Sequence, residues 1–212
     1  MRIRRHAERA RSARDELDEI LDAGWVGTLS TVVDGQPQVV PVLYARVGDA
    51  VLVHGSTGAG TLRAAGDGAP VAFCVAHLDA FVYAASLFES SANYRSAVVS
   101  GRCELLTGDA AEQALVALSE QIMPGRPAEV RGNTAKERAA TIVLRLPIAE
   151  GQWLAKARTG SATVHDEDDP SVWTGILPVH TVFGEPVPTS KAAEGGIPVS
   201  PSVAARFAGQ PR

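Results

Sequence analysis

The chain has 212 residues and a mass of 22.2 kDa. That suits one domain with extensions and is short for a tandem enzyme, since a domain takes roughly 150 residues. Apolar residues make up 45% of it, which supplies a core and argues against a disordered chain. The 20 basic and 24 acidic side chains leave a net charge of −4, without the cationic excess that a polyphosphate backbone demands, so general nucleic-acid binding is disfavoured. Only Cys74 and Cys103 occur, too few for a disulfide framework or a four-cysteine zinc site, and a cytoplasmic location is expected. No segment reaches the roughly 18 apolar residues of a membrane span, and the Arg-rich start runs into acids rather than an apolar signal core.

Ser12, followed by an acid at Asp15, reads as the N-cap of a short helix with Leu17, Ile20 and Leu21 on one face and Gly24 as its stop. The arginines ahead of it (Arg2, Arg4, Arg5, Arg9, Arg11) read as a solvated arm. From Trp25 the texture turns to β. Residues 26–33 end at Asp34-Gly35, a favoured hairpin pair, and residues 38–47 and 50–54 follow through tight turns as an antiparallel meander. Pro41 has no amide hydrogen, so it belongs at an edge or a bulge, where neighbouring backbone groups are free for something other than a strand.

A short helix is expected after Gly60, then strands at 71–77 and 81–86 with Leu78-Asp79-Ala80 between them, and a further strand at 94–106. Residues 109–123 carry Leu115, Leu118 and Ile122 at helical spacing. Strands at 141–146 and 153–157 follow, and the proline-rich chain from 187 onward reads as an extended arm. The fold class is mainly β with flanking helices, a small closed or half-closed antiparallel barrel. The expected organisation is one domain over 1–190 and a tail over 191–212.

Two segments carry chemistry. His54-Gly55-Ser56-Thr57-Gly58-Ala59-Gly60-Thr61 joins a strand to a helix and reads either as an anion-binding turn or as an ordinary glycine-rich turn. It is not a P-loop, because Thr61 stands where the lysine belongs. Asn93-Tyr94-Arg95-Ser96 offers a guanidinium fork and a hydroxyl suited to phosphate, or a capped turn with a surface arginine. The run His165 to Asp169 lacks the glycine and distal glutamate of a calcium loop and reads as a solvated acidic turn; no metal is expected.

The HGST and NYRS segments, with PGRPAEVRG, TIVLRLPIAEGQWLAKARTG and VWTGILPV after them, resemble the pyridoxamine-phosphate-oxidase-like FMN-binding split-barrel flavoproteins, in the branch that includes nitroimidazole reductases. The resemblance covers about residues 10–190. It implies an FMN with its ring along Val40-Pro41-Val42 and its phosphate between the two segments, held by His54, Gly55, Ser56, Thr57, Thr61, Leu62, Asn93, Tyr94, Arg95, Ser96 and Lys156. It implies also a homodimer with the flavin at the subunit boundary.

The function that follows is an oxidoreductase passing hydride or electrons from a reduced donor, such as a nicotinamide, through flavin to a small organic acceptor. Tyr44, Tyr83 and Glu89 are the candidate substrate-side groups. The chain departs from the family pattern at Glu89-Ser90-Ser91-Ala92, where relatives carry His-His-Ser-Met, and at Thr61, often a lysine. Alternatives are haem, ligated by His54 or His77, a deazaflavin, or a non-catalytic flavin-binding regulator.

Overall fold

A computed structural model describes residues 6–208; Arg2, Arg4 and Arg5 of the expected arm lie outside them. Strand β1 (Ala10–Arg11) precedes α1 (Arg14–Asp22), which starts one residue later than expected. Its N-cap is Ala13, whose amide donates to the Glu16 carboxylate; Ser12 makes no cap. Three antiparallel strands follow, β2 (Val26–Val33), β3 (Gln36–Val47) and β4 (Ala50–Ser56), and the first turn between them puts Asp34 and Gly35 at positive φ, as the hairpin requires.

Helix α2 (Gly60–Gly66) leads to β5 (Pro70–Tyr83), a single strand rather than the expected pair. The residues read as a break, 78–80, are a β-bulge at Asp79 within continuous pairing to β6 (Ser91–Arg102). After the short β7 (Glu104–Leu106) come α3 (Gly108–Ile122), α4 (Arg126–Glu129), α5 (Ala135–Ala139), β8 (Thr141–Pro147), β9 (Trp153–Arg158) and β10 (Gly175–Pro178). The proline-rich end is not simply extended: it carries α6 (Ser190–Glu194) and α7 (Pro201–Ala208). Residue Arg206 of α7 donates to the Ile122 carbonyl and stacks over Trp25 and Phe183, 4.9 Å from each ring centroid. These contacts hold the end of the chain against α3 and the start of β2.

All strand pairs are antiparallel, in the order β1-β9-β6-β5-β2-β3-β4-β8-β7, with β10 taking the edge of β5 beyond the bulge. The sheet curls into a split barrel. Its interior holds Tyr44, Phe73, Val75, Val99 and Leu144, together with Leu17, Ile20 and Leu21 of α1 and Leu62 and Ala65 of α2. Helix α3 covers the opposite face of β3, β4 and β8 through Ala45, Leu52, Ala114, Leu118 and Val143.

Close packing leaves one position in β2 without room for a side chain. A Cβ at Gly27 would lie 2.1 Å from the Phe73 ring, itself fully buried and packed edge-on against Tyr44 at 4.9 Å. Gly27→Ala is therefore expected to cost about 1–3 kcal/mol by overpacking, read as a lower urea midpoint at unchanged slope. An unchanged midpoint would mean that the Phe73 ring is free to move.

Candidate functional site

The barrel opens where β3 loses a neighbour. Strand β3 pairs with β2 from Gln36 opposite Val33 to Leu43 opposite Val26, but with β4 only from Tyr44 opposite Val53 to Val47 opposite Ala50. Past Val53, β4 continues along β8 alone, and its Gly55 faces Leu62 of α2. A Cβ on Gly55 would lie 2.3 Å from a Leu62 methyl, so glycine is what lets the helix approach this strand.

Backbone polarity in the opening follows from alternation. The Tyr44 amide donates to the Trp25 carbonyl, so even-numbered residues of β3 direct their backbone groups at β2 and odd-numbered ones at the β4 side. Pro41 is odd. Its missing N–H therefore costs no β2 ladder bond, and the Val39 amide and the Val39 and Pro41 carbonyls meet no strand partner. The expectation that proline marks an edge with free backbone groups holds here.

The side chains divide by the same parity. Val40, Val42 and Tyr44 point inward, while Pro41, Val39 and Leu43 face out beside Val26 and Thr28 of β2. On the same outer face lie Cys74, Ala76 and Leu78 of β5, Tyr94, Ser96 and Val98 of β6, and Lys156 of β9, whose ammonium sits 5.8 Å from the Tyr94 ring centroid. Val26, Val39, Leu43 and Leu78 are exposed there, forming a broad apolar surface. His54 shares the face of Leu52, at the border between the α3-covered part and this open part. Its Nδ1 is buried without a partner, and burial pushes its pKa down.

The glycine turn is partly self-satisfied. Ser56 Oγ accepts from the Gly58 amide at 3.1 Å, the Thr57 amide donates to the Ala140 carbonyl, and the Ala59 amide donates to the Ser56 carbonyl. Thr57 borders a cavity of about 660 Å³, lined also by Glu112, Arg138, Thr141 and the start of α3. A second cavity, of about 710 Å³, is largely apolar and lies between Met123 and Arg126 and the end of the described chain, including Phe183, Val187, Ile197 and Phe207.

Several expected site residues have other work. Arg95 holds the bulge residue Asp79 in a two-pronged pair (Nη2–Oδ1 2.7 Å, Nε–Oδ2 3.0 Å), which raises its pKa. Its strand is separated from β4 by β5, β2 and β3, so one chain does not bring Arg95 and the 54–61 turn into a single cluster. Asn93 is buried, donating to the Gly160 carbonyl and accepting from Arg158. Tyr44 is corrected outright as a substrate-side group: it is fully buried, its hydroxyl donates to the Leu21 carbonyl at 2.5 Å, and desolvation pushes its pKa up. His77 is likewise tied, its Nε2 2.9 Å from the Ile20 carbonyl. Tyr83 stays half-exposed against Trp173, with centroids 5.9 Å apart. Leu62 belongs to the core.

The profile of the pyridoxamine 5′-phosphate oxidase family matches residues 13–153. The chain belongs to that family. Among solved structures it is similar to the FAD and heme binding protein from Mycobacterium smegmatis, at 41% identity and a TM-score of 0.89, covering 93% of this chain and 97% of that one. It is similar also to the flavocytochrome Anf3 from Azotobacter vinelandii, at 28% identity and a TM-score of 0.87, covering 96% and 94%. A 5-nitroimidazole antibiotic resistance protein from Bacteroides thetaiotaomicron shares the fold at 15% identity and a TM-score of 0.59, over 70% of this chain. Comparison with curated proteins finds no match. Among the described residues, no helix is long and apolar enough to cross a membrane.

One contact escaped sequence reading. Glu89 accepts from His165 Nε2 at 2.8 Å, joining the 84–90 loop to the acidic 165–169 turn, which closes on itself through Asp168 and the His165 amide. Glu89 raises the His165 pKa. A raised histidine pKa means that the clasp is fully present below the ordinary value of about 6.5 and is lost as pH rises through the shifted one. The His165 Cε1 proton should titrate with a midpoint above that ordinary value by NMR, and Glu89→Gln should lower it; equal midpoints would remove the clasp from solution.

Proposed function

We propose that the chain is a flavin-dependent oxidoreductase whose isoalloxazine lies against the open edge of β3. The observation that carries this reading is the unpaired backbone at Val39 and Pro41 on an apolar face: the Val39 amide suits a carbonyl oxygen of a flavin ring edge, and the neighbouring carbonyls suit its ring N–H. Bound flavin supplies the hydride and electron chemistry. The chain's own share is binding and orientation. Pro41 keeps the edge from recruiting a strand, Val26, Leu43 and Val39 exclude water from one ring face, and the hydroxyls of Ser56, Thr57 and Thr61 meet the phosphate end.

A second copy of the chain completes the site in this reading. The exposed apolar face of β2, β3, β5 and β6 suits a two-fold contact, and a partner would supply cations that one chain keeps four strands away. A nicotinamide donor and a small acceptor would then enter beside Tyr83 and the Glu89–His165 clasp. Mass analysis of ligand released by heat from purified protein tests the cofactor, with a flavin expected; a colourless protein that takes up no added flavin overturns the proposal. In the same preparation Leu43→Glu should convert a dimer to a monomer by light scattering and weaken flavin binding about tenfold or more, since an unpaired charge in an apolar contact is not tolerated.

Haem is a second reading, favoured by His54. An imidazole held neutral by burial, with a free ring nitrogen, is the form that ligates iron, and two similar proteins carry haem or cytochrome in their names. Titration with haemin should give a shifted Soret band in wild type that His54→Ala loses and His77→Ala keeps. A band kept in both variants would exclude His54 as ligand.

A further inference from the structure

The cavity beside Thr57 carries two opposite charges that do not pair with each other. Glu112, on the second turn of α3, lines it; its Oε1 accepts from Asn133 Nδ2 at 3.3 Å, while its Oε2 is buried with no partner. Arg138 of α5 lines it too, and its guanidinium donates to the Asn133 carbonyl. Neither side chain makes an ion pair with any described residue. Asn133 touches both, so the carboxylate and the guanidinium stand one asparagine apart.

The chemistry of the lining selects a ligand. A buried carboxylate oxygen without a donor is costly, and Asp109 on the first turn of α3 adds a second negative charge, so this end favours a group that brings N–H hydrogens and a positive charge together. A guanidinium with one N–H engaged keeps others for a carboxylate, which suits its planar fork. Beside them Leu105, Leu106, Leu115 and Ile142 supply an apolar surface, and the volume of about 660 Å³ lies within the usual span for organic ligands, roughly 300–1,000 Å³. A dication would be repelled by Arg138, a dianion would meet two carboxylates, and a hydrocarbon would leave the Glu112 oxygen unpaired.

We infer that this cavity binds a free α-amino acid with a large apolar side chain, its ammonium on Glu112 and its carboxylate on Arg138. No residue of β3 lines the cavity, so the site is separate from the open edge and does not depend on a bound flavin.

The test uses the full chain as purified, titrated by calorimetry with L-phenylalanine, with phenethylamine, which lacks the carboxylate, and with phenylpropionate, which lacks the amine. Phenylalanine should bind wild type at least about tenfold more tightly than either fragment, the loss expected when a hydrogen bond between charged groups is removed. Glu112→Gln should weaken phenylalanine and phenethylamine about tenfold and leave phenylpropionate unweakened, whereas Arg138→Gln should weaken phenylalanine and phenylpropionate and leave phenethylamine unweakened. The comparison of the three probes on wild type does not depend on how either variant folds. Phenylalanine bound no more tightly than one of the fragments, or not at all, would overturn the inference, as would two folded variants that keep the wild-type affinities. The flavin reading is decided by the heat-released ligand and is untouched by each of these results.

Discussion

The approach of Leu62 to Gly55 sets the rest of this molecule. With no Cβ at 55, helix α2 seats a leucine in the barrel core directly against the end of β4. Strand β4 then runs with β8 and leaves β3 with one free edge. A barrel that closed here would satisfy every backbone group and bind nothing along this strand. By wedging the helix into the seam, the chain keeps an edge open inside a well-packed fold, and the apolar contacts of Leu62 and Ala65 offset the lost ladder bonds.

The parity of Pro41 is consistent with that arrangement. One residue earlier or later, proline would delete a bond to β2 and weaken the strand that carries the site. At 41 it removes only a donor from the open edge, leaving a defined pattern of one amide and two carbonyls. The same alternation sends Val40 and Val42 into the core, so only Pro41 of the three residues read as a flavin strand presents its side chain to the open face; the other two act by anchoring it.

Much of the fold was legible because its signals are local. Asp34-Gly35, the meander strands and the helical spacing of Leu115, Leu118 and Ile122 each need only a short window. The single strand β5 was not, because Asp79 looks like a turn residue and becomes a bulge only when Arg95 on the neighbouring strand grips its carboxylate. That pairing is long-range, as is the Glu89–His165 contact, and no periodicity encodes either. For the site, the proline edge was readable from its chemistry, whereas Tyr44 was not: a tyrosine in a strand gives no sign of whether its hydroxyl faces solvent or the end of a helix. The helices after 187 were missed because their prolines sit at helix starts and between helices, as Pro201 does at the head of α7, where a missing amide costs nothing.

Glu89 connects the departure from the family pattern to the part of the chain that lies beyond the family profile. At 89 this chain places a carboxylate that draws to it an imidazole from residue 165. The segment of His165 continues through Trp173 against Tyr83, β10 along the far end of β5, and Phe183 against Trp25, to Arg206 on α7. The residues from His165 to Arg206 thus form a continuous strap from the 84–90 loop to the start of β2. The two similar structures that cover more than nine-tenths of the chain reach well beyond the profile's end at 153, whereas the nitroimidazole resistance protein covers 70%. A loop tied down by a protonatable pair is stiff at low pH and freer above it. The strap, through Trp173, is therefore what packs over Tyr83, while the barrel only carries that residue at the end of β5.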